Sequence, residues 1–141
     1  MKIYPRWDYW EIKKTILKDK GEKNCPFCDI QKQKEYIIWE WVYWYIAHNK
    51  FPFVWTKKHL LVYPKICERI TKNLPSYYWK EFSKIHQFMF DFYWDESYFS
   101  FIREKGETKS IHHLHYHFLP WELECGPLEN MLQQQGIKSD I

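Results

Sequence analysis

The sequence contains no apolar run long enough to cross a membrane, and no apolar segment of signal-peptide length at its start. Its most apolar stretch, residues 36–47, includes Glu40 and is far shorter than the roughly 20 residues that a spanning helix needs. The first residues, MKIYPRWDYWEIKK, are crowded with charge. We therefore expect no membrane association and a cytoplasmic location.

Charge of one sign is not concentrated in any part of the sequence. Lysine and arginine total 21, aspartate and glutamate total 18, and the two signs are interspersed, for a net charge of +3. A protein that tracks a nucleic-acid backbone carries a focused basic stripe instead. The high aromatic content, 21% of the chain, favours a bulky core over base stacking. We expect no nucleic-acid partner, while phosphate-bearing small molecules remain compatible.

The 141 residues fit one domain with a core of its own. Asp8 followed by Glu11 resembles a capping box and predicts a short N-terminal helix that ends at Gly21. Apolar residues at helical spacing predict one long central helix, which starts at Asn73 or Ser76 and packs on a sheet. Runs of β-branched and aromatic residues predict strands over residues 36–47, 59–64, 98–103 and 111–119. This order of elements predicts an α+β fold with an antiparallel sheet.

Histidine alternates with apolar residues in the last predicted strand. His113, His115 and His117 are separated by Leu114 and Tyr116. Alternate residues of a strand face the same side, so the three imidazoles would share one face while the apolar residues enter the core. A single histidine on such a strand is more often a core residue with satisfied hydrogen bonds. Three histidines on the same face of one strand favour a functional site.

Two chemistries fit this row of histidines. Two of the imidazoles could hold a catalytic metal, as histidine pairs with this spacing do in open zinc sites. Alternatively, one neutral imidazole could attack phosphorus, activated by a hydrogen bond from its other ring nitrogen to a backbone carbonyl. The spacing alone does not choose between them.

Cysteine occurs four times, and two of the four form a CxxC element. Cys25 and Cys28 can supply two corners of a tetrahedral zinc site. A thioredoxin-like redox role is the alternative, but the element follows the polar run 21–24 instead of an apolar strand. Zinc would need two more ligands, which Cys67, Cys125 or a histidine could provide. In a reducing compartment, metal ligands or buried thiols are expected in preference to disulfides.

The histidine signature resembles that of the histidine triad (HIT) superfamily, in which three histidines alternate with apolar residues. Further segments resemble the family along the chain: CPFCDI, HNKFPF, HLLVYPK and SIHHLHYHFLP. The resemblance covers residues 23–122 and leaves residues 1–22 as a helical extension and residues 123–141 as a tail with one weak helix. It implies a HIT-like α+β fold, an antiparallel sheet packed with one long central helix, and a homodimer.

The resemblance also implies a mechanism. In this family the middle histidine attacks the α-phosphorus of a nucleotide to give a nucleotidyl-histidine intermediate, and that residue here is His115. His117 would line the phosphate site, and Ser110 stands at the family's hydroxyl position before the triad. Its hydroxyl would donate to the charge that builds on the phosphoryl oxygens.

Other residues would contact the substrate, by the same resemblance. Asn49 matches the position that holds the ribose hydroxyls, and His59 opens the strand that lines the site. Phe53, with the residues just before it, could wall the base or belong to the core. Lys109 stands where the hydrolases have glutamine, so a cation would assist the leaving group. Lys58 replaces a glycine, and the two extra lysines favour a more anionic substrate.

In the zinc-carrying branch of the superfamily, which includes relatives of galactose-1-phosphate uridylyltransferases, the matching residues hold a structural metal. They are Cys25, Cys28, Cys67 and His113 here, a Cys₃His set, although Cys67 stands where many members have histidine. A buried Cys67 thiol, with a histidine completing the shell, is the alternative. Cys125 has no family role.

The expected function is hydrolysis of a phosphoanhydride or phosphoramidate at a nucleoside α-phosphate. The transferase branch carries glutamine at the third triad position, where this sequence has His117, and this difference favours hydrolysis. Nucleotidyl transfer or phosphorolysis of nucleotide sugars or dinucleoside polyphosphates is the second hypothesis. A nucleotide-binding module without catalysis is the third.

Overall fold

The computed structural model describes residues 1–18, 25–104 and 111–136. Its centre is a five-stranded antiparallel sheet in the order β1-β2-β3-β5-β4. The strands are β1 (Ile37–Glu40), β2 (Trp44–His48), β3 (Leu60–Pro64), β4 (Tyr98–Ile102) and β5 (Tyr116–Pro120). The helices are α1 (Arg6–Lys18), α2 (Ile30–Gln33), α3 (Ser76–Phe92) and α4 (Cys125–Gln134), with a 3₁₀ turn at Thr71–Asn73. The predicted α+β fold is confirmed.

The long central helix is α3, whose 17 residues place an apolar stripe on one face of the sheet. Phe82, Ile85 and Met89 follow helical spacing and pack against buried residues of β2, β3 and β5. The opposite face of the sheet carries a second, smaller cluster built around Phe27, Tyr36 and further buried side chains. The two clusters divide the sheet into a helix-covered face and a face that bears the histidines.

The predicted strand over residues 36–47 is in fact a hairpin, with β1 and β2 joined by a turn at residues 41–43. The sequence has no glycine, proline or asparagine there to mark a turn. The turn is held from outside, because the buried Glu81 carboxylate on α3 accepts the backbone N–H of Val42 at 2.6 Å and of Tyr43 at 2.8 Å. A carboxylate that accepts two amide protons satisfies donors that would otherwise be unpaired.

The predicted strand over residues 111–119 begins later than expected, at Tyr116. His113 and His115 lie before the first residue of β5, next to a bend at residues 112–113. There the Leu114 N–H donates to the Glu68 carbonyl at 2.6 Å instead of to a strand. The predicted alternation of sides is confirmed, since Leu114 and Tyr116 contact the helix-covered core.

The N-terminal helix differs from its prediction at the start. It begins at Arg6, directly after Pro5, so Asp8 lies inside the first turn and the capping-box interpretation of Asp8 with Glu11 is wrong. Proline has a backbone angle suited to a helix start and lacks an N–H that the first turn cannot pair. The predicted stop at Gly21 lies outside the described residues. No helix of the described part of the chain is long and apolar enough to span a bilayer.

Candidate metal and histidine site

Three cysteines and one histidine converge just beyond the end of the central strand β3. Ligand atoms of Cys25, Cys28, Cys67 and His113 all lie within 4.8 Å of one another. The His113 Nδ1 atom is 3.3 Å from the Cys25 Sγ atom and 3.5 Å from the Cys28 Sγ atom. Tetrahedral zinc, with Zn–S near 2.3 Å and Zn–N near 2.0 Å, separates sulfur from nitrogen by about 3.5 Å. The four residues predicted as a Cys₃His set are therefore brought together with the spacing of a metal site.

The surroundings of these residues favour a cation. The His113 Nε2–H donates to the Pro64 carbonyl at 2.6 Å, which leaves the Nδ1 lone pair directed at the thiols. Burial raises the pKa of Cys67 well above its ordinary value, and the neighbouring Cys25 and Cys28 raise it further. The Cys67 thiol therefore resists ionisation when no cation is near, and cysteine binds a divalent ion as the thiolate. The donor set fits zinc.

His115 lies beside this cluster and is tied to it through the backbone. Its Nδ1–H donates to the His113 carbonyl at 2.9 Å, and the residue is 6% exposed. This hydrogen bond selects the tautomer with the proton on Nδ1 and a lone pair on Nε2. The Phe27 ring, between the two cysteines of the CxxC element, packs 5.2 Å from the His115 ring and 5.7 Å from the His113 ring. One aromatic side chain thus holds both imidazoles.

A chain of hydrogen bonds leads from a loop to His117. The Phe53 N–H donates to the His59 Nδ1 atom at 3.3 Å, and the His59 Nε2 atom is 2.9 Å from the His117 Nδ1 atom. Because His59 Nδ1 accepts, the proton of neutral His59 is on Nε2 and is donated to His117. Neutral His117 then carries its own proton on Nε2. The chain therefore fixes the tautomer of both histidines.

The last imidazole of this hydrogen-bond series, His117, is buried. His117 is 5% exposed, and its Nε2 atom has no hydrogen-bond partner among the described residues. The Phe101 ring stacks on the His117 ring at 4.5 Å and the Phe53 ring at 5.3 Å. Burial, and then the nearby His115 and His59, lowers the pKa of His117 well below its ordinary value. A neutral donor enclosed by aromatic rings lacks an acceptor that a ligand could supply.

Three residues that the sequence suggests for substrate contact, Asn49, His59 and Lys58, make contacts within the protein. Asn49 is buried, its Oδ1 atom accepts the Phe51 N–H at 2.8 Å, and its Nδ2 atom lies against the His59 ring. Asn49 and His59 thus shape the loop that follows β2, and their contact with a substrate stays a prediction. Lys58 forms an ion pair with Glu96, so part of its charge is compensated.

Two predicted site residues, Ser110 and Lys109, lie outside the described residues. Cys125 is exposed on α4 and takes no part in the cysteine cluster. The sequence interpretation missed the roles of Phe27 and Phe101 as walls of the site. The position of Phe27 inside CPFC was a usable signal for its contact with the metal ligands, whereas the stacking of Phe101 depends on the pairing of β4 with β5.

Comparison with solved structures identifies the fold. A hypothetical protein from Leishmania major has a TM-score of 0.61 at 15% identity, over 82% of this chain and 96% of that chain. A histidine triad nucleotide-binding protein from Candida albicans has 0.57 at 20% identity, over 79% and 96%. A HIT family member from Bacillus subtilis has 0.54 at 20% identity, over 83% and 99%. No family model and no curated protein matches the sequence. The chain therefore has the fold of histidine triad proteins.

Proposed function

We propose that the chain is a histidine triad hydrolase, which cleaves a phosphoanhydride or phosphoramidate bond at a nucleoside α-phosphate. His115 is the proposed nucleophile and His117 the proposed donor to the phosphoryl oxygens. The observation that carries the proposal is the hydrogen bond from His115 Nδ1 to the His113 carbonyl, at 2.9 Å. A neutral imidazole with its proton fixed on Nδ1 presents its lone pair on Nε2, as a nucleophile toward phosphorus requires.

The reaction would proceed in two displacements. The His115 Nε2 lone pair forms a bond to the α-phosphorus, and the bond from phosphorus to the leaving oxygen or nitrogen breaks with its electron pair. The leaving group takes up a proton. Water then attacks the same phosphorus, loses a proton, and releases the mononucleotide and neutral His115. Two easier steps replace one difficult step in such covalent catalysis.

His117 would act through its proton. The Phe53–His59–His117 chain favours an Nε2–H on His117, and this atom has no acceptor among the described residues. Negative charge grows on the phosphoryl oxygens during displacement, so a preorganised donor stabilises the transition state. Burial lowers the pKa of His117 and so keeps its imidazole neutral, and the ring offers an uncharged N–H hydrogen-bond donor to the phosphoryl oxygens. Ser110 remains a proposed second donor.

The metal would have a structural role. Zinc would be held in a closed tetrahedral shell by Cys25, Cys28, Cys67 and His113. Such a shell stabilises the fold and leaves no open coordination position for a substrate. His113 supplies both a side-chain ligand and the carbonyl that orients His115. Binding of the ion would therefore fix the segment that carries the nucleophile.

The test is turnover of adenosine and guanosine phosphoramidates, dinucleoside polyphosphates and nucleotide sugars, at matched zinc content. We expect mononucleotide from the wild type and a loss of at least about 10³-fold in His115→Ala, as for other nucleophile removals. His86→Ala, an exposed histidine of α3, serves as the matched control and should keep full activity. Full activity in His115→Ala would overturn the proposal.

Nucleotidyl transfer is the second candidate, and the zinc pattern and Lys109 favour it. The same intermediate would be resolved by phosphate or a sugar phosphate in place of water. Reaction in ¹⁸O-labelled water separates the two, because hydrolysis places the label in the mononucleotide and transfer does not. Absence of turnover with tight nucleotide binding would instead indicate a binding module. A cytoplasmic location and a homodimer remain predictions, and light scattering tests the second.

A further inference from the structure

The N-terminal segment is attached to the loop that follows β2 and borders the histidine site. The Tyr4 N–H donates to the Lys50 carbonyl at 2.9 Å. The Arg6 guanidinium, at the start of α1, donates to the Phe51 carbonyl at 3.0 Å. The rings of Tyr4 and Tyr9 lie 5.7 Å and 5.5 Å from the Phe51 ring. Hydrogen bonds and aromatic contacts therefore both attach the start of α1 to this loop.

Arg6 contacts the loop at two points. Besides its hydrogen bond to the Phe51 carbonyl, its guanidinium carbon lies 4.6 Å from the Phe53 ring centroid. The Tyr9 ring centroid lies 4.2 Å from the same carbon. A planar guanidinium can donate hydrogen bonds in its own plane while aromatic rings lie against its faces. Arg6 therefore holds the carbonyl of Phe51 and the ring of Phe53 at the same time.

Two further side chains hold the backbone of the loop on its inner side. The Asn49 Oδ1 atom accepts the Phe51 N–H at 2.8 Å, and the His59 Nδ1 atom accepts the Phe53 N–H at 3.3 Å. Pro52, between the two donors, has no N–H. The bond to His59 is slightly longer than the usual range for an N–H donor. A small outward displacement of Phe53 would therefore break it.

The Phe53 N–H is the contact that distinguishes the two ring nitrogens of His59. The Asn49 Nδ2 atom lies 3.4 Å from His59 Nδ1 and 3.3 Å from His59 Nε2, so it does not select between them. The Phe53 N–H donates to Nδ1, which places the proton of neutral His59 on Nε2. The position of the loop thus decides the tautomer of a buried histidine.

The same contact decides which nitrogen of His117 carries its proton. The two rings meet at 2.9 Å, between His59 Nε2 and His117 Nδ1, and one of these atoms donates to the other. Without the Phe53 N–H, the opposite arrangement becomes available, in which His117 donates from Nδ1 and His59 carries its proton on Nδ1. The number of protons is unchanged, but His117 Nε2 then presents a lone pair. A lone pair repels the phosphoryl oxygens that an N–H donor stabilises.

We propose that Arg6 is a positioning residue that keeps the Phe53 N–H on His59 and thereby keeps the proton of His117 on Nε2. The consequence for catalysis rests on the proposed function, in which the His117 Nε2–H donates to the phosphoryl oxygens. The effect on the tautomers does not depend on that function. Arg6 belongs to the N-terminal extension, outside the residues 23–122 that resemble the histidine triad family. The extension therefore contributes to the site through a contact that the resemblance does not imply.

The experiment is a set of long-range ¹H–¹⁵N correlation spectra on the full-length, zinc-loaded protein with ring-labelled histidine. The ¹⁵N shifts give the tautomer ratio of each ring, and His59→Gln and His117→Gln assign the signals. Arg6→Gln should change the ratio at His59 and at His117 by about fivefold toward Nδ1–H, the factor that the loss of one typical hydrogen bond produces. Arg6→Lys keeps a donor for the Phe51 carbonyl but loses the planar contact with Phe53, so its change should be smaller.

The matched control is Lys13→Gln, which removes a cation of α1 whose nitrogen lies 4.7 Å from the Trp10 ring. It should keep the wild-type tautomer ratios. Unchanged ratios in Arg6→Gln would overturn the inference even if the variant unfolds at a lower temperature, because a merely structural role lowers stability alone. A wild type with the His59 proton on Nδ1 would overturn it as well. Failure of the proposed function is distinguishable, because it would appear as turnover that does not depend on His115, with the tautomer change in Arg6→Gln still present.

Discussion

The His59 Nε2 atom lies 2.9 Å from the His117 Nδ1 atom, so one imidazole of β5 is oriented by a residue directly before β3. Because the Phe53 N–H occupies His59 Nδ1, the direction of proton donation through the pair is fixed by a backbone amide. Nothing in the chemistry of either histidine alone would select this tautomer.

Imidazole ¹⁵N chemical shifts should report one tautomer for each histidine of the site. We expect His59 and His117 to carry the proton on Nε2, because the Nδ1 atom of each accepts a hydrogen bond. We expect His115 to carry it on Nδ1, because that atom donates to the His113 carbonyl. Long-range ¹H–¹⁵N correlation spectra on ring-labelled protein near neutral pH would make the assignment. A His115 protonated on Nε2 would contradict the proposed nucleophile, and a His117 protonated on Nδ1 would contradict its role as donor.

Removal of one metal ligand should cost both metal and stability. Cys67→Ser is expected to bind less than one zinc per chain. Its free energy of unfolding should fall by more than about 2 kcal/mol, because the loss of a structural metal is among the most destabilising consequences of a single substitution. Elemental analysis and urea denaturation measure the two quantities. Cys125→Ser, an exposed cysteine outside the cluster, is the matched control and should behave as the wild type. Equal zinc content in both variants would exclude Cys67 as a ligand.

Glu81→Gln should destabilise the β1–β2 hairpin. The carboxylate accepts two backbone N–H groups, and an amide offers one oxygen and presents its NH₂ group to the other donor. We expect a loss of about 2 kcal/mol in the free energy of unfolding, the usual cost of a buried donor left unpaired. Urea denaturation compares this variant with Glu129→Gln, an exposed glutamate of α4. A loss no larger than that of the control would mean that the turn forms without Glu81.

Stability should fall in mild acid because two histidines are buried as neutral groups. Burial, and then the fields of Arg6 and His115, lowers the pKa of His59 to about 3. An unfolded histidine has a pKa of about 6.5, so below that pH the unfolded chain binds a proton that the folded chain does not. The contribution is complete above about pH 6.5 and is lost as the pH falls toward about 3, by up to about 1.4 kcal/mol per pH unit.

The pH effect can be separated from acid release of the metal. Urea denaturation of wild type and His59→Gln over a series of pH values from neutral to mildly acidic gives the difference, since the metal ligands are common to both proteins. The variant should show a shallower fall in stability with decreasing pH. Parallel curves for the two proteins would show that His59 is not held neutral.

The site was predictable where its pattern is local in the sequence. CxxC and the alternation of histidines over residues 113–117 depend on local chain geometry, so Cys25, Cys28 and the three histidines are candidate site residues from the sequence itself, although the spacing does not choose their chemistry. Cys67 was added by resemblance, and the cluster of its sulfur with the others agrees with that assignment. Zinc itself and the role of each histidine remain proposals.

The features that were missed depend on distant contacts. The hairpin turn at Val42 forms because Glu81, 39 residues further along, accepts its amide. Arg6 contacts the Phe51 carbonyl and the Phe53 ring across 45 residues or more of sequence, and no local pattern encodes that contact. Strand β5 begins only at Tyr116, and just before it the Leu114 N–H donates to the Glu68 carbonyl and not to a strand. Propensity and periodicity describe one segment at a time, and tertiary contacts decide these cases.

Trapping the covalent intermediate shows whether His115 is the nucleophile. Wild type and His115→Ala, matched in zinc content, would be mixed with α-³²P-labelled nucleotide substrate, quenched in alkali within the first turnover, and digested for peptide mapping. We expect alkali-stable, acid-labile label on the peptide that contains His115, and none in the variant. Label on another residue, or multiple turnovers by His115→Ala at the wild-type rate, would contradict this role of His115.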